Sequence, residues 1–350
     1  MHTPDITGRT KCHKIHVGSG NPVCPELHVH GTPMKQVSED AYLGDLIRND
    51  GKNTSSLKNR VSRGVGSISQ IMNVLERVSF GRYYFQIALS FREAIFLNSI
   101  LTNIEVWYGL KNHEVEELER LDRMLLCKIL ALPQTTPAEA LFLETGSINI
   151  GTMVKMRRIN YLQHLLQSDE NKMLSKFFQT QLAFPVKDDW SEQVRLDLSD
   201  FGIREDLQWI KTTSQYKFRK LVKKCGREYA LGEFKDQKRK HSKLEHLEYD
   251  ELKVQGYLKN QDVSVTQAQI LLKFRTRMAN YSNNYKGSNS DQKCTLCQNH
   301  GDNQHDIYIC DFNQKNVKLS GKYNDLFKGD IDISVIKSLE AVYKLREKHT

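Results

Sequence analysis

The sequence predicts a mainly α-helical protein with a short β region near its N-terminus and a small Cys/His module near its C-terminus. Three observations lead to this fold class. Apolar residues recur every three or four positions over most of the chain after residue 54, which is the period of an amphipathic helix. Apolar residues alternate in 11–47, between glycines and prolines, as they do in short strands. Cysteines and histidines cluster in 294–310.

The N-terminal strands are predicted from pairs such as Ile15 with Val17 and Leu27 with Val29. Two or three strands cannot form a stable sheet alone, so we expect residues 1–50 to be the edge of a larger sheet. The same segment holds several cysteines and histidines whose spacing repeats no known zinc finger, and we interpret them as ordinary sheet residues. They are Cys12, His13, His16, Cys24, His28 and His30.

Helical periodicity predicts a first helix that starts near Thr54 and continues to about Leu75, with Gly64 and Gly66 permitting close approach of another backbone. Two short helices split at Gly202 are expected within 191–210. The other predicted helices are 83–108, 115–132, 137–144, 151–167, 170–183, one or two helices in 213–255, then 265–280 and 333–348. A polar linker is expected at 280–292.

Composition excludes several classes of protein. Of the 350 residues, 39% are hydrophobic, 27% are charged and only 7 are proline, which argues against a collagen-like or wholly disordered chain. The most apolar stretch, 83–110, is interrupted by charged residues and asparagines, so it predicts a buried helix and no contact with a membrane. Residues 1–16 lack the apolar centre of a signal peptide. We therefore expect an intracellular protein, nuclear or cytoplasmic and not secreted.

The net charge of +9 is carried by one segment of the chain. Residues 211–243 contain twelve lysines and arginines against three acidic residues, and the remainder is neutral. Four aromatic residues are interleaved with these bases: Tyr216, Phe218, Tyr229 and Phe234. Such a segment suits a phosphate backbone with stacked bases, or it is a solvated helix whose aromatic side chains face the core. We favour the core for the aromatic residues. The bases that are candidate nucleic-acid contacts are Lys220, Lys223, Lys224, Arg227, Lys238, Arg239 and Lys240.

The Cys/His module has the spacing of a zinc site. Cys294 and Cys297 form a CxxC pair, His305 follows after seven residues and Cys310 after four more. Zinc binds four nitrogen or sulfur ligands in a tetrahedron, and a closed site of this kind is structural. We predict structural Zn²⁺ on these four residues, with His300 as an alternative to His305. Seven cysteines without a secretory signal favour reduced thiols over disulfides, and reduced thiols are able to bind metal. The other interpretation is a set of free thiols and surface histidines.

No motif in the sequence predicts catalysis or a small-molecule substrate. Asp188 and Asp189 lie beside a proline in a break between helices, which is unlike a carboxylate pair on a strand turn that holds two metals. The sequence contains no Gly-rich phosphate loop, and nothing places a Ser, His and Asp as a triad. The sequence does not indicate an oligomeric state.

A series of short motifs occurs in a characteristic order. They are KCHKIHVG at 11–18, CP at 24–25, YLGD at 42–45, VSFG at 78–81, ILTN at 100–103, EVWYG at 105–109, TPAEA at 136–140, RRINYL at 157–162, RTRM at 275–278 and the Cys/His module. This series resembles the C-terminal part of reverse transcriptase polyproteins from LINE-like, non-long-terminal-repeat retrotransposons. The resemblance covers nearly the whole chain.

The resemblance implies a function in nucleic-acid binding. In that family the helices after the Tyr-Leu-Gly segment form a thumb that grips template and product, which would place Lys58, Arg60 and Arg63 near backbone phosphates. The knuckle helps to bind element RNA or target DNA in target-primed reverse transcription. The implied segments are the incomplete end of the palm at 1–50, a thumb-like helical bundle at 51–133, a helical linker at 134–280 that contains 211–243, a CCHC zinc knuckle at 281–315 and a C-terminal helix at 316–350.

The family's catalytic residues do not occur in this sequence. Its polymerase holds two Mg²⁺ ions on a Phe/Tyr-Ala-Asp-Asp strand turn and an earlier aspartate, which would precede residue 1, and about 40 residues after Cys310 are too few for an endonuclease domain. We therefore expect a truncated region that binds RNA or DNA without polymerase activity of its own, with Mg²⁺ needed only by the full-length parent, an RNA-directed DNA polymerase. The alternatives are a zinc-stabilised helical scaffold, a protein-interaction module or a non-functional relic.

Overall fold

Helices form most of the protein from Thr54 to Glu347, and the strands lie before them. The computed structural model describes residues 11–12, 28–29, 32–33, 35–42, 45–48, 53–107, 110–184, 189–239, 244, 246–247, 249–281, 293–302 and 307–349. Within these ranges, no helix is both long enough and apolar enough to cross a membrane. The predicted mainly helical class with short N-terminal strands is confirmed for this part of the chain.

The strands pair two by two in the N-terminal region. They are β1 (Lys11–Cys12), β2 (His28–Val29), β3 (Thr32–Pro33), β4 (Lys35–Gln36), β5 (Glu39–Tyr42) and β6 (Asp45–Arg48). β1 pairs with β4 in parallel, β2 pairs with β3 in antiparallel, and β5 pairs with β6 in an antiparallel hairpin that sets Tyr42 opposite Asp45. The Ser56 hydroxyl exchanges hydrogen bonds with both the amide and the carbonyl of Leu46, at 2.9 and 2.8 Å. This hairpin is therefore attached to the first helix.

The described part of the chain contains fourteen α-helices. They are α1 (Thr54–Arg77), α2 (Tyr84–Phe91), α3 (Asn98–Leu101), α4 (Asn112–Leu130), α5 (Ala138–Thr145), α6 (Ile150–Gln167), α7 (Met173–Ala183), α8 (Trp190–Asp200), α9 (Leu207–Thr212), α10 (Gln215–Lys238), α11 (Gly256–Lys259), α12 (Val265–Arg275), α13 (Asp311–Asn316) and α14 (Ile333–Glu347). The break between α8 and α9 contains Gly202 with φ 62°, as the split at this glycine predicts.

Three predicted helices differ from the structure: the one expected at 265–280 ends at Arg275, and two others differ as follows, while α11 and α13 were not predicted. The helix expected at 83–108 contains a π-helical segment, Arg92–Leu97, and ends at Leu101, because Asn103 adopts a left-handed conformation with φ 56°. This segment is apolar on nearly every side of the helix, so the spacing of its apolar residues does not distinguish an α-helical turn from a π-helical one. In the region where one or two helices are expected within 213–255, α10 ends at Lys238.

The hydrophobic residues form two cores that share two helices. The main core contains α1 to α5, the start of α6, the second half of α10 and the helices after it, and the second core contains the rest of α6, α7 to α9 and the first half of α10. In α6, Ile150 belongs to the main core and Ile159 to the second core; in α10, Phe218 belongs to the second core and Phe234 to the main core. Both helices thus run from one core into the other, and α10 changes its buried side on the way.

Close packing in the main core depends on a glycine of α1. A Cβ atom placed on Gly64 would lie 2.9 Å from Ile100 Cγ2 and 3.0 Å from Leu121 Cδ1. Cβ atoms rarely approach other carbons so closely, so a larger residue here would force these side chains to shift. The prediction that another backbone approaches Gly64 and Gly66 is wrong, because the atoms near Gly64 belong to side chains and a Cβ atom on Gly66 would have no atom within 4 Å.

Three arginine–carboxylate pairs connect helices inside the protein. They are Arg92 with Asp122 at 2.5 Å, Arg158 with Asp197 at 2.7 Å and Arg275 with Glu144 at 2.7 Å. Each pair is nearly withdrawn from solvent, which is tolerated because both charges are paired and hydrogen-bonded. The pairs therefore fix how the helices are placed relative to one another.

The pair between Arg275 and Glu144 is the centre of a larger network. The hydroxyls of Tyr249 and Tyr257 donate to the Glu144 carboxylate at 2.6 and 2.8 Å, and Arg275 donates to the Leu326 carbonyl at 2.6 Å. Burial and the Glu144 charge both raise the pKa of each tyrosine far above its usual value, so both hydroxyls remain donors. This network joins α5, the segment after α10, α12 and the chain before α14.

Candidate metal centre and nucleic-acid interface

Three cysteines meet at the C-terminal module. The sulfur atoms of Cys294, Cys297 and Cys310 all lie within 4.8 Å of one another, and all three are free thiols. Cysteines at such distances are able to bind one metal ion together, and a set of thiolates is compatible with structural zinc. Three of the four predicted ligands are therefore brought together by the fold.

The main chain around the CxxC pair explains why its thiols turn to the same side. The Cys294 amide donates to the His300 carbonyl at 2.7 Å, and the Gln298 amide donates to the Cys294 carbonyl at 3.0 Å. Gln298 has φ 58°, which lets the chain reverse at once, and Lys293 then pairs with Gly301 in an antiparallel bridge. The result is a tight loop closed at its base.

Main-chain amides also donate to the sulfur atoms. At Cys297 the donors are the amides of Asn299 and His300, and at Cys310 they are the amides two and three positions further along the chain. Burial opposes ionisation of the Cys297 thiol, but the hydrogen bonds outweigh it and its pKa lies below the usual value. Burial raises the pKa of the Cys310 thiol to about 12, and the neighbouring sulfurs contribute because adjacent thiolates repel. Metal binding favours the deprotonated thiols, so a dication fits this donor set.

The two histidines considered as the fourth ligand differ in what the structure says of them. His305 lies outside the described residues, in the interval between Asp302 and Ile307. His300 is described and does not belong to the group of metal-binding side chains, although its main chain helps to shape the site. The alternative with His300 as ligand is therefore not supported, and His305 remains a prediction.

The module is attached to α14 by residues that the sequence analysis did not single out. Arg346 of α14 pairs with the buried Asp302 at 2.7 Å, and its guanidinium lies 4.2 Å from the centre of the Tyr281 ring. Within the module, the Asn313 side chain donates to the Ile307 carbonyl at 3.0 Å. The contacts of Arg346 join segments that are far apart in the sequence, so only the spacing of the cysteines could have indicated the site.

The basic segment presents its charge from the first half of α10. Phe218 and Val222 are fully buried in the second core on one side of this helix. The opposite side is exposed and carries Lys217, Arg219, Lys220, Lys223 and Lys224. Glu228 approaches Lys224 at 3.8 Å with both side chains largely exposed, and such a pair is weak. The positive charge predicted for residues 211–243 is therefore presented to solvent along this half of the helix.

The predicted contacts further along the segment are in other environments. Arg227 is half-buried and donates to the carbonyls of Leu252 and Gly146, the latter at 3.3 Å, so its guanidinium stabilises the fold. Arg239 is exposed and lies 3.4 Å from Asp236. Lys240 and the side chain of Lys238 lie outside the described residues.

The bases of α1 are not all placed near backbone phosphates, as the resemblance implies. Arg60 is fully buried; it pairs with Asp45 at 2.6 Å, donates to the Ile100 carbonyl at 2.8 Å and lies 4.1 Å from the centre of a Trp107 ring. The expectation that Arg60 contacts backbone phosphates is therefore not supported, because its guanidinium binds a carboxylate, a carbonyl and an aromatic face inside the protein. Of the other two bases that the resemblance places near phosphates, Lys58 is exposed and Arg63 is half-buried.

The aromatic residues of the basic segment lie in three environments. Phe218 and Phe234 are buried, which confirms the interpretation that they face the cores. Tyr229 is half-buried and its hydroxyl accepts a hydrogen bond from Lys155 at 3.0 Å. Tyr216 is the exception, because 76% of it is exposed.

Most of the N-terminal Cys/His cluster lies outside the described residues, so its interpretation as ordinary sheet residues stays a prediction. Cys12 and His28 lie in short strands, and the other four members are not described. Among the side chains that are described, the metal-binding group found is the one formed by the three C-terminal cysteines.

Comparisons with known proteins found no match to any protein-family model, to any curated protein or to any solved structure. The resemblance to retrotransposon reverse transcriptases therefore depends on the sequence motifs. The fold, the cysteine group and the exposed bases are properties of this chain, and a functional proposal has to start from them.

Proposed function

We propose that this protein binds RNA or DNA, as the thumb, linker and knuckle region of a LINE-like reverse transcriptase polyprotein, without polymerase activity of its own. The observation that supports the proposal is the lysine row, which we define as Lys217, Lys220, Lys223 and Lys224 on α10. These side chains are exposed on the side of the helix opposite Phe218. A basic surface of this kind attracts a phosphate backbone.

The geometry of the lysine row suits a polyanion better than a single small anion. Its members recur at three- and four-residue intervals and therefore share one side of the helix. At 1.5 Å per residue they extend over about 10 Å. The exposed pair with Glu228 gives little stability, so a phosphate group can replace it at small cost.

Neutralising the lysine row tests the proposal. We expect Lys220→Ala, Lys223→Ala and Lys224→Ala together to weaken binding to RNA and DNA oligonucleotides and to lower the salt dependence of the association constant, measured by fluorescence anisotropy at several salt concentrations. The matched control replaces three exposed lysines on other helices, Lys128, Lys259 and Lys337, with alanine. An equal loss of affinity in both triple variants would contradict the proposal.

We also propose that the cysteine group holds one structural zinc ion, with His305 as the fourth ligand. Its support is the meeting of three thiols together with amide donors to two of the sulfurs. The full-length protein purified without added metal is expected to contain about one zinc per chain. Cys294→Ser and His305→Asn should lose it, while Cys225→Ser and His300→Asn should retain it. Loss of zinc in the His300 variant with retention in the His305 variant would assign the fourth ligand differently.

The proposed absence of polymerase activity has its own test. Primer extension on an RNA template with Mg²⁺ is expected to yield no product, because the family's metal-binding aspartates do not occur in this sequence. Extension that depends on the purified chain would contradict this part of the proposal and leave the binding experiments unaffected.

A protein-interaction module is the second candidate, favoured by the outer side of α7 and the residue that follows it. Met173, Phe177 and Phe184 are 69%, 64% and 74% exposed, which is unusual for three large apolar side chains so close in sequence. Met173→Ser with Phe177→Ser separates the two functions, because nucleic-acid affinity should stay unchanged if the lysine row is the interface. Loss of affinity in this double variant would place the interface on α7 instead.

A further inference from the structure

We infer that Tyr216 stacks on an unpaired base, so that the lysine row binds single-stranded RNA or DNA in preference to a duplex. The inference depends on the proposed nucleic-acid binding and names the form of nucleic acid that this surface selects. It starts from the one aromatic residue of the basic segment that the structure describes as fully outside the cores, with 76% of its surface exposed.

Tyr216 and the lysine row lie on the same side of α10. Lys220 is four residues after Tyr216, the spacing of neighbours on a helix, and Lys223 lies on the same side seven residues after it, about 10 Å further along. Phe218, two residues along, points to the opposite side and is fully buried in the second core. The Tyr216 ring therefore lies at the N-terminal end of the basic row.

The charges around Tyr216 favour an anionic ligand. The first turn of α10 contains no acidic residue, and Lys217, Arg219 and Lys220 are all exposed next to the ring. Positive side chains that follow a backbone, together with an accessible aromatic ring, are the two components of single-strand binding surfaces. The lysines bind phosphates of any nucleic acid, but the ring adds affinity only when a base is free to stack on it.

A purely structural role does not account for Tyr216. The other aromatic residues of this segment fill the cores or bind neighbouring side chains, as Tyr229 does with Lys155. Tyr216 leaves most of its ring in solvent. A docking site for an apolar protein surface would be expected to lack this many lysines, because desolvating them opposes association.

The test compares Tyr216→Ala with the wild-type full-length chain on three probes: an unstructured 12-nucleotide RNA, the DNA of the same sequence and the corresponding DNA duplex. We expect affinity for both single strands to fall about 10-fold and affinity for the duplex to change less than about 2-fold. The salt dependence should stay as in the wild type, because no phosphate contact is removed. Tyr216→Phe should keep wild-type affinity, since stacking needs the ring and not the hydroxyl.

Phe177→Ala is the matched control, because it removes an exposed aromatic ring from α7 and should leave binding to all three probes unchanged. An equal loss on duplex and single strands, or a loss confined to RNA or to DNA, would overturn the stacking inference. Unchanged affinity in Tyr216→Ala would overturn it as well. If the lysine variants still lose affinity in that case, the proposed function stands without the inference; if the wild-type chain binds none of the probes, both fail.

Discussion

The first half of α10 and the first turns of α1 both contain a cluster of bases but place its central members differently. Both segments are helical and place several bases within a few residues. On α10 the lysines stay in solvent, opposite the buried Phe218. On α1 the central base, Arg60, is fully buried against Asp45. A cluster of positive charge in a sequence therefore indicates either a contact surface or part of the interior, depending on what the neighbouring segments offer.

The difference follows from side-chain chemistry and from position on the helix. Arg60 comes three residues after the buried Leu57 and four before Gly64, so it adjoins the apolar stripe of α1, whereas Lys58 lies further round the helix. A guanidinium is planar, carries five donors and is less strongly hydrated than an ammonium group, which makes it the cation better suited to a buried site. The lysines of α10 have no comparable position beside a core.

The largest expected effect distinguishes the two regions by stability. Arg60→Ala removes the cation that pairs with Asp45 and the donor to the Ile100 carbonyl, and we expect the free energy of unfolding to fall by about 3 kcal/mol. Lys223→Ala should change it by less than about 0.5 kcal/mol, since the side chain is exposed. Urea denaturation followed by circular dichroism measures both. Equal destabilisation by the two substitutions would remove the distinction between the regions.

Arg227 tests the boundary between the two roles, because it belongs to the basic segment but donates to two main-chain carbonyls. We expect Arg227→Ala to lower the free energy of unfolding by about 1 to 2 kcal/mol, since two acceptors lose their donor. Its effect on oligonucleotide affinity should be smaller than that of Lys223→Ala. A larger effect on affinity than on stability would place Arg227 in the contact surface.

The smallest expected effect is a change in the salt dependence of nucleic-acid binding. Lys223→Ala should lower the slope of log K against log salt by about 0.7 on a single strand, which corresponds to one phosphate contact. Arg60→Gln removes a charge that lies inside the protein and should leave this slope unchanged in the folded variant. An altered slope in the Arg60 variant would indicate that α1 contacts the nucleic acid after all.

Prediction from sequence succeeded where the deciding interactions are local. Periodicity located most of the helices but not α11 or α13, the split expected at Gly202 falls in a break between helices, and the CxxC pair with Cys310 indicated a group of thiols that the fold brings together and that could hold a metal ion. It failed for the π-helical segment Arg92–Leu97, because both kinds of turn satisfy the same apolar pattern. It also failed for Arg60, because its partner Asp45 belongs to a strand hairpin whose position the pattern does not give.

Long-range polar contacts were beyond any local pattern. Glu144 and Arg275 are 131 positions apart, and Arg346 is 44 positions from Asp302. No residue close in sequence to a member of these pairs indicates which distant residue it contacts, since a charged residue in a helix is compatible with exposure or with a buried pair. The same is true of α10, whose buried side changes from Phe218 to Phe234 as it passes from the second core to the main core.

Local sequence pattern was thus sufficient for the helical class, for most of the longer helices and for the grouping of the three cysteines, because each depends on residues close in sequence. Tertiary packing decided which bases remain in solvent, which aromatic ring is exposed and how the Cys module is attached to α14. The physical reason is that burial is set by the surfaces that meet in space. A lysine or a tyrosine on a helix is a contact residue only on the side that no other segment covers.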